Sequence, residues 1–212
     1  MADPAPMPRS ALHGVARNGR SGRPDGPPGV CVHLVWPCAL ALVVPRPGSA
    51  DACLARLAAV YGPGLAGLPA RRAARGDGLS LCWSGPDRYL ASIAADIDIE
   101  ARLRDVCGDS AAIIDQSDGR YVLRISGPSV RQTLAKGVPI DLHPRVFQVG
   151  ETALVTLAHL TVQLTLIDAT PTFELVGQRA AAHDLWHWLA AAGAQFGVQT
   201  SIDGSPAGSG IP

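Results

Sequence analysis

The chain has 212 residues, 47% of them hydrophobic and 17% charged, which is enough apolar material for one domain or two close halves and too much for global disorder. Lys+Arg and Asp+Glu each total 18, so the formal net charge is zero. That removes the electrostatic pull onto phosphate backbones and acidic lipid, and it excludes nucleic acid and membrane surfaces as expected partners. A neutral, apolar chain is also poorly soluble alone, a first sign of a subunit that sits in a complex.

Residues 1–29 are rich in Pro, Gly, Arg and Ser. They bury too little to offset their ordering entropy and are expected to form a flexible tail, with Ala11–Val15 docking locally. Val30 to Val44 is rich in Val and Leu and predicts one or two strands. Ser49 is placed to cap a helix whose buried face is Leu54, Leu57, Ala58 and Tyr61, ended by Gly62-Pro63-Gly64. Arg71–Asp77 reads as a surface loop and Leu79–Trp83 as an alternating strand. Gly85-Pro86-Asp87 then turns the chain into a short helix through Leu103.

Further along, Ala112–Ser117 and Arg120–Ser126 read as paired strands joined at Ser117-Asp118-Gly119. Gly127-Pro128-Ser129 opens a helix that Gly137 closes. Thr152–Ile167 is one long strand or a bent pair, and Thr172–Val176 is another strand. Ala182, Leu185, Trp186 and Leu189 mark a last helix stopped by Gly193. Residues 201–212 form a second tail, with its Gly/Ser/Pro part at Asp203 to Pro212. The plan is a pseudo-duplicated α+β fold over 30–200, with halves at about 30–108 and 109–200 and helices packed on antiparallel sheets.

The five cysteines (Cys31, Cys38, Cys53, Cys82, Cys107) are odd in number and contain no Cys-x-x-Cys pair, so buried free thiols in a reducing compartment are expected. No signal peptide is recognisable, and the longest apolar stretch, Val35 to Val44, falls short of the roughly 20 residues a spanning helix needs. A soluble, cytoplasmic protein is the expectation. His183 and His187 stand at i, i+4, as metal-binding histidines do, but Asp184 replaces the Glu of the zinc-protease helix and a third ligand is lacking. Polar histidines on an outer face are the simpler reading. In the loop Asp141-Leu142-His143-Pro144-Arg145, Asp141 either pairs with Arg145 or caps a turn, or the loop meets a neighbouring subunit. No nucleophile or oxyanion motif accompanies its Asp and His. Gly62 to Gly67 and Gly76-Asp77-Gly78 are turns, since neither opens a helix after a strand as a dinucleotide loop does. Trp186 and Trp188 lie two apart on one helix and cannot share a core face, so one is expected to be exposed and covered by a partner.

Several segments resemble one family. They are Trp83 to Leu90, Ile113 to Arg120, Arg124 to Val130, Phe147 to Gly150, Pro171 to Leu175, Leu185 to Leu189 and, most specifically, Leu134 to Pro144 (Leu-Ala-Lys-Gly-Val-Pro-Ile-Asp-Leu-His-Pro). Over roughly 30–200 the chain looks like the gamma subunits of heterotetrameric sarcosine oxidases, and it is more distantly similar to the folate-binding domain of the glycine-cleavage T protein. The resemblance implies two ferredoxin-like halves and no ligand on this chain. It also implies three partners: an alpha subunit with NAD and a tetrahydrofolate domain, a flavin-bearing beta subunit (FAD and FMN) and a zinc-binding delta subunit. Such an enzyme oxidises sarcosine to glycine, passes the one-carbon unit to tetrahydrofolate and releases hydrogen peroxide. In T proteins a Gly-rich loop and acidic residues between two strands put a carboxylate against the pterin-linked nitrogens. The matching stretch here, Thr156 to Leu164, has neither, and its strands read as running straight through. A non-catalytic structural subunit is therefore expected. The alternatives are an independent folate-binding aminomethyltransferase, or the gamma subunit of a related dehydrogenase of N-methyl amino acids such as N-methylglutamate.

Overall fold

A computed structural model describes residues 9–202 of the chain. The first strands are β1 (Gly19–Ser21), β2 (Val30–Val35) and β3 (Ala39–Pro45), followed by helix α1 (Ala50–Tyr61). Next come β4 (Ala73–Arg75), β5 (Ser80–Trp83), β6 (Tyr89–Ile93), α2 (Ile99–Cys107) and β7 (Ala111–Asp115). The rest of the chain gives β8 (Arg120–Ser126), α3 (Val130–Leu134), β9 (Thr152–Leu157), β10 (Leu160–Asp168), β11 (Thr172–Gln178), α4 (Ala182–Gly193) and β12 (Val198–Ser201).

The strands form two sheets, one of five in the order β4-β5-β6-β3-β7 and one of seven in the order β1-β12-β2-β8-β11-β10-β9. In the smaller sheet, β3-α1-β5-β6-α2-β7 is a ferredoxin-like unit with β4 added at one edge. In the larger, β8-α3-β10-β11-α4-β12 repeats the unit, but β2 is wedged between its first and last strands, parallel to β12 and antiparallel to β8. The α+β duplication expected from the chain is present. Its halves interleave, however: β2 belongs to the larger sheet and β7 to the smaller, so a cut between 108 and 109 does not separate them.

Each sheet carries its helices on one face. Leu54, Leu57 and Tyr61 of α1 and Ile99 and Leu103 of α2 pack with Ala41, Val43, Leu81 and Ala91 under the five-stranded sheet. Leu185, Trp186 and Leu189 of α4 pack with Leu123, Leu164, Phe173 and Leu175 under the other. The free faces meet through a small third cluster of Val35, Leu40, Leu90, Val122 and Val176. The order of layers is thus helices, sheet, sheet, helices. β6 has partners on both faces, which removes the polar/apolar alternation that marks a half-exposed strand. The expected helix from Gly85 to Leu103 is therefore a strand followed by a shorter helix, which starts where the Asp98 carboxylate accepts from the Ala101 amide at 2.9 Å.

Other expectations are corrected locally. The strands at Ala112–Ser117 and Arg120–Ser126 do not pair with each other: β7 joins β3 in the smaller sheet, and the chain crosses at Ser117-Asp118-Gly119 to β8, which lies between β2 and β11 in the larger one. The tail over 1–29 does not hold for residues 9–29: Leu12 is fully buried, Ala11 and Ala16 join the core, and β1 pairs with β12 at the sheet edge. Residues 1–8 and 203–212 lie outside the described residues. The loop Arg71–Asp77 contains β4. Ser49 precedes α1 without a capping side-chain bond, whereas Gly62, with φ of 116°, ends the helix as expected. Thr152–Ile167 is a hairpin rather than one straight strand, turning at Ala158 and His159, which both take positive φ (50° and 71°) as a two-residue turn of this hand requires.

Candidate functional site

The inner face of the seven-stranded sheet carries a row of polar side chains where apolar ones would be the default. Pairing places Ser201 beside His33, His33 beside Arg124, Arg124 beside Glu174, Glu174 beside Thr165, and Thr165 beside Thr152. Side chains two apart on a strand share a face, so register alone assembles this row from five strands of the inner face and one at its flank.

Glu174 is the one buried carboxylate among the described residues, its side chain only 10% exposed. Its Oε2 accepts from Arg124 Nε and from Arg75 Nη2, both at 3.0 Å. Arg75 comes from β4 of the other sheet, so this triad spans the sheet–sheet seam. Beside it, Gln163 donates to the Trp83 carbonyl (3.1 Å) and to Thr152 Oγ1 (2.6 Å), while its own oxygen accepts from Ser84 (3.1 Å). Thr152 and Thr165 share a hydrogen bond of 2.8 Å. A pocket of about 200 Å³ lined by Ala73, Arg75, Cys82, Thr165 and Glu174 opens at this end of the seam.

These contacts hold the sheets together. Both guanidinium groups donate to the same carboxylate oxygen, so the two contacts are charge-assisted. Burial pushes the Cys82 thiol up to about 12, helped by the nearby Glu174 charge, and Cys38 goes up to about 12 for the same reasons. Neither is a thiolate nucleophile near neutral pH. His33 is lowered by burial first and by the Arg124 charge second, and its Nδ1 is buried without a hydrogen-bond partner. The unfolded chain takes up this proton at the ordinary imidazole value and the folded chain only below it, so stability falls on acidification through that window and is level above it. Urea midpoints at about pH 7.5 and about pH 5.5 are expected to differ less in His33→Gln than in the parent.

At the opposite end of the seam, Trp36, Cys38, Asp96, Ser117, Arg120 and Arg179 line a pocket of about 400 Å³. Trp36 is 37% exposed and is the solvent-facing tryptophan that sequence periodicity did not single out, because it sits in a turn between strands. Trp186 is buried in the core, and Trp188 lies across Gly137, where a Cβ would meet its ring at 2.4 Å. Of the α4 pair, Trp186 is thus enclosed and Trp188 is half-buried. His183 and His187 are exposed, and among the described residues no group of three or more His, Cys, Asp or Glu is gathered for a metal.

The loop at Asp141 is a capped turn. Its carboxylate accepts from the His143 amide (2.8 Å) and His143 Nδ1 accepts from the Arg145 amide (3.2 Å). Leu142 is buried, and its carbonyl accepts from Arg131, whose guanidinium also lies 5.2 Å from the Phe173 ring. His143, Pro144 and Arg145 are exposed, and the exposed apolar side chains follow them at Val146 (54%) and Val149 (45%). Val149, with Pro144, Phe147 and Pro171, borders a pocket of about 470 Å³. The face available to a neighbour therefore begins inside the expected segment and extends beyond it.

The family model described as "Sarcosine oxidase, gamma subunit family" matches residues 46–195. A sarcosine oxidase subunit gamma from an Arthrobacter species is 34% identical over 155 residues, covering 73% of this chain and 75% of the relative. One from Corynebacterium sp. (strain P-1) is 34% identical over 151 residues, covering 71% and 73%. Among solved structures, heterotetrameric sarcosine oxidase from Corynebacterium sp. U-96, in complex with pyrrole 2-carboxylate, aligns with a TM-score of 0.67 and 26% identity over 79% of this chain and 85% of that one. The glycine cleavage system aminomethyltransferase T from Bartonella henselae shares the fold, with a TM-score of 0.62 and 15% identity over 82% of this chain and 48% of that one.

Proposed function

The chain belongs to the sarcosine oxidase gamma subunit family, and from that we propose that it is a structural subunit of a heterotetrameric oxidoreductase acting on sarcosine, with the chemistry carried by other subunits. The observation behind this is the fate of the acids on the inner sheet face. The stretch Thr156 to Leu164 around the β9–β10 turn, where T proteins keep theirs, has none, and Glu174 is paired with Arg75 and Arg124. The partners follow the family resemblance: an alpha subunit with NAD and a tetrahydrofolate domain, a beta subunit with FAD and FMN, and a zinc-binding delta subunit. The assembly works in the cytoplasm; among the described residues no helix is long and apolar enough to cross a membrane. Co-expression with and without this chain tests the role. Loss of the soluble assembly and its sarcosine-dependent peroxide on omission is expected, and an active three-subunit enzyme would refute it.

The fold shared with aminomethyltransferase T favours one competing reading, a folate-binding transferase in its own right. Calorimetry of the full chain with tetrahydrofolate separates the two: the structural reading expects no heat of binding.

The partner-facing surface is assigned to the loop from Asp141 through Gly150, with His143, Pro144, Arg145, Val146 and Val149 outward. Trp188, half-buried on α4, is a second candidate contact, whereas Trp186 lies in the core. The double variant Val146→Asp/Val149→Asp is expected to change the stability of the isolated chain by no more than about 0.5 kcal/mol, since both side chains are exposed. Two buried charges in an apolar contact would weaken association by roughly tenfold or more. Pull-down yield and chemical denaturation check both halves of this prediction.

A further inference from the structure

We propose that Cys53 and Cys107 are an oxidisable thiol pair, a modification site at which a hydroperoxide closes a disulfide between α1 and α2. The two residues are 54 apart in sequence, yet their Sγ atoms lie 3.7 Å apart, both fully buried under the five-stranded sheet. Cys53 lies in the first turn of α1 and Cys107 is the last residue of α2, so the bond would join the two helices of one unit. Arg56 Nη1 donates to the Cys107 carbonyl at 3.1 Å, which sets a guanidinium beside the pair, and Ser110 Oγ donates to the same carbonyl at 2.5 Å.

The two thiols are not equivalent. Cys53 is lowered, chiefly by its hydrogen bond with Cys107 and against the cost of burial, with further help from Ser110 and the Arg56 charge. Cys107 is raised by the same hydrogen bond and by burial. Cys53 is therefore the sulfur that ionises first and attacks, and Cys107 the one that resolves. In the first step the Cys53 thiolate attacks one oxygen of hydrogen peroxide. The O–O bond breaks, the leaving hydroxide takes a proton to become water, and Cys53 becomes a sulfenic acid. In the second, the Cys107 sulfur attacks the sulfenic sulfur, the S–O bond breaks, and the hydroxide leaves as water with the Cys107 proton. Two thiols and one peroxide give one disulfide and two waters. Closing from 3.7 Å to a bond of about 2.0 Å asks each sulfur to move by less than about 1 Å. Because the partner is already in place, the sulfenic acid is captured before a second peroxide can carry it to the sulfinic level.

That peroxide arises beside this chain rests on the oxidase reading above; the reactivity of the pair does not, and the test supplies the oxidant. The full-length chain in its purified assembly is treated with hydrogen peroxide, unfolded in acid, alkylated and mapped as peptides. A linked Cys53–Cys107 peptide, lost again on reduction with dithiothreitol, is expected. In Cys107→Ser the same treatment should instead leave a Cys53 sulfenic acid that dimedone captures. Full alkylation of both residues after peroxide, or linkage of either to Cys31, Cys38 or Cys82 instead, overturns the proposal. Should Cys107→Ser fail to fold, the mapping of the parent chain decides alone. A negative result here leaves the subunit assignment standing, because that is read from co-expression and not from thiols.

Discussion

Replacing Glu174 with Ala is expected to lower the unfolding free energy by about 2–4 kcal/mol while leaving the turnover of correctly assembled enzyme unchanged. The asymmetry of the triad is the reason. The Glu174 side chain is 10% exposed and bonded to two guanidinium groups, so its removal strands two positive charges at the seam between the sheets. Arg75 and Arg124 are 44% and 34% exposed and can turn partly to water, which places the loss below the upper end seen for fully buried pairs. Arg75→Ala alone should cost only about 1 kcal/mol, because Arg124 still satisfies the carboxylate. Urea denaturation of the isolated chain measures the stability term, and steady-state sarcosine oxidation per mole of intact complex measures the other. A fall in turnover of a hundredfold or more in folded Glu174→Gln enzyme would show that this carboxylate handles protons and would end the structural reading.

Gly76→Ala is expected to cost about 3 kcal/mol or more, through backbone contact alone. A Cβ there would lie 1.9 Å from the Tyr61 carbonyl oxygen and 2.8 Å from its carbon, atoms that cannot swing away as a side-chain tip does. The approach is close because this segment straps the end of α1. The Asp77 amide donates to the Tyr61 carbonyl (2.6 Å), supplying a partner to one of the acceptors a helix leaves open at its C-terminus, and the Gly76 amide donates to the Leu79 carbonyl (2.8 Å). Pushing the strap outward also shifts β4, which carries Arg75, so the variant should lose part of the Glu174 triad too. Gly48→Ala is the control. Its Cβ would meet nothing within 4 Å, and only its φ of 75° opposes the change, for about 1 kcal/mol. Equal midpoints for the two variants would show that the strap gives way freely.

How legible these features were depended on how local their cause is. The stripe Leu54, Leu57, Ala58, Tyr61 marked α1 because one helical face packs on one sheet, and Arg120–Ser126 was visible as β8 for a similar reason. The segment after Gly85-Pro86-Asp87 reads as helix because β6, buried on both faces, lacks the alternation of a half-exposed strand. β4 reads as loop because Ala73-Ala74-Arg75 has no β-branched residue; its neighbour β5 and the Arg72–Glu151 bridge to the other sheet impose the pairing. Leu12 reads as part of a tail because one leucine in a Pro/Gly-rich segment carries no periodicity, although it fills a fully buried position.

The sequence by itself determined the helices α1 and α4, the strand β8, the absence of an acid between Thr156 and Leu164, and the family, since residue period and motif order are properties of short stretches of chain. Only the tertiary structure decided that β2 enters the larger sheet between β12 and β8, that His33, Arg124 and Glu174 thereby stand in one row, and that Arg75 reaches Glu174 from 99 residues away. Strand register and the stacking of one sheet on another are settled by contacts between distant segments, and no window of neighbouring residues encodes them.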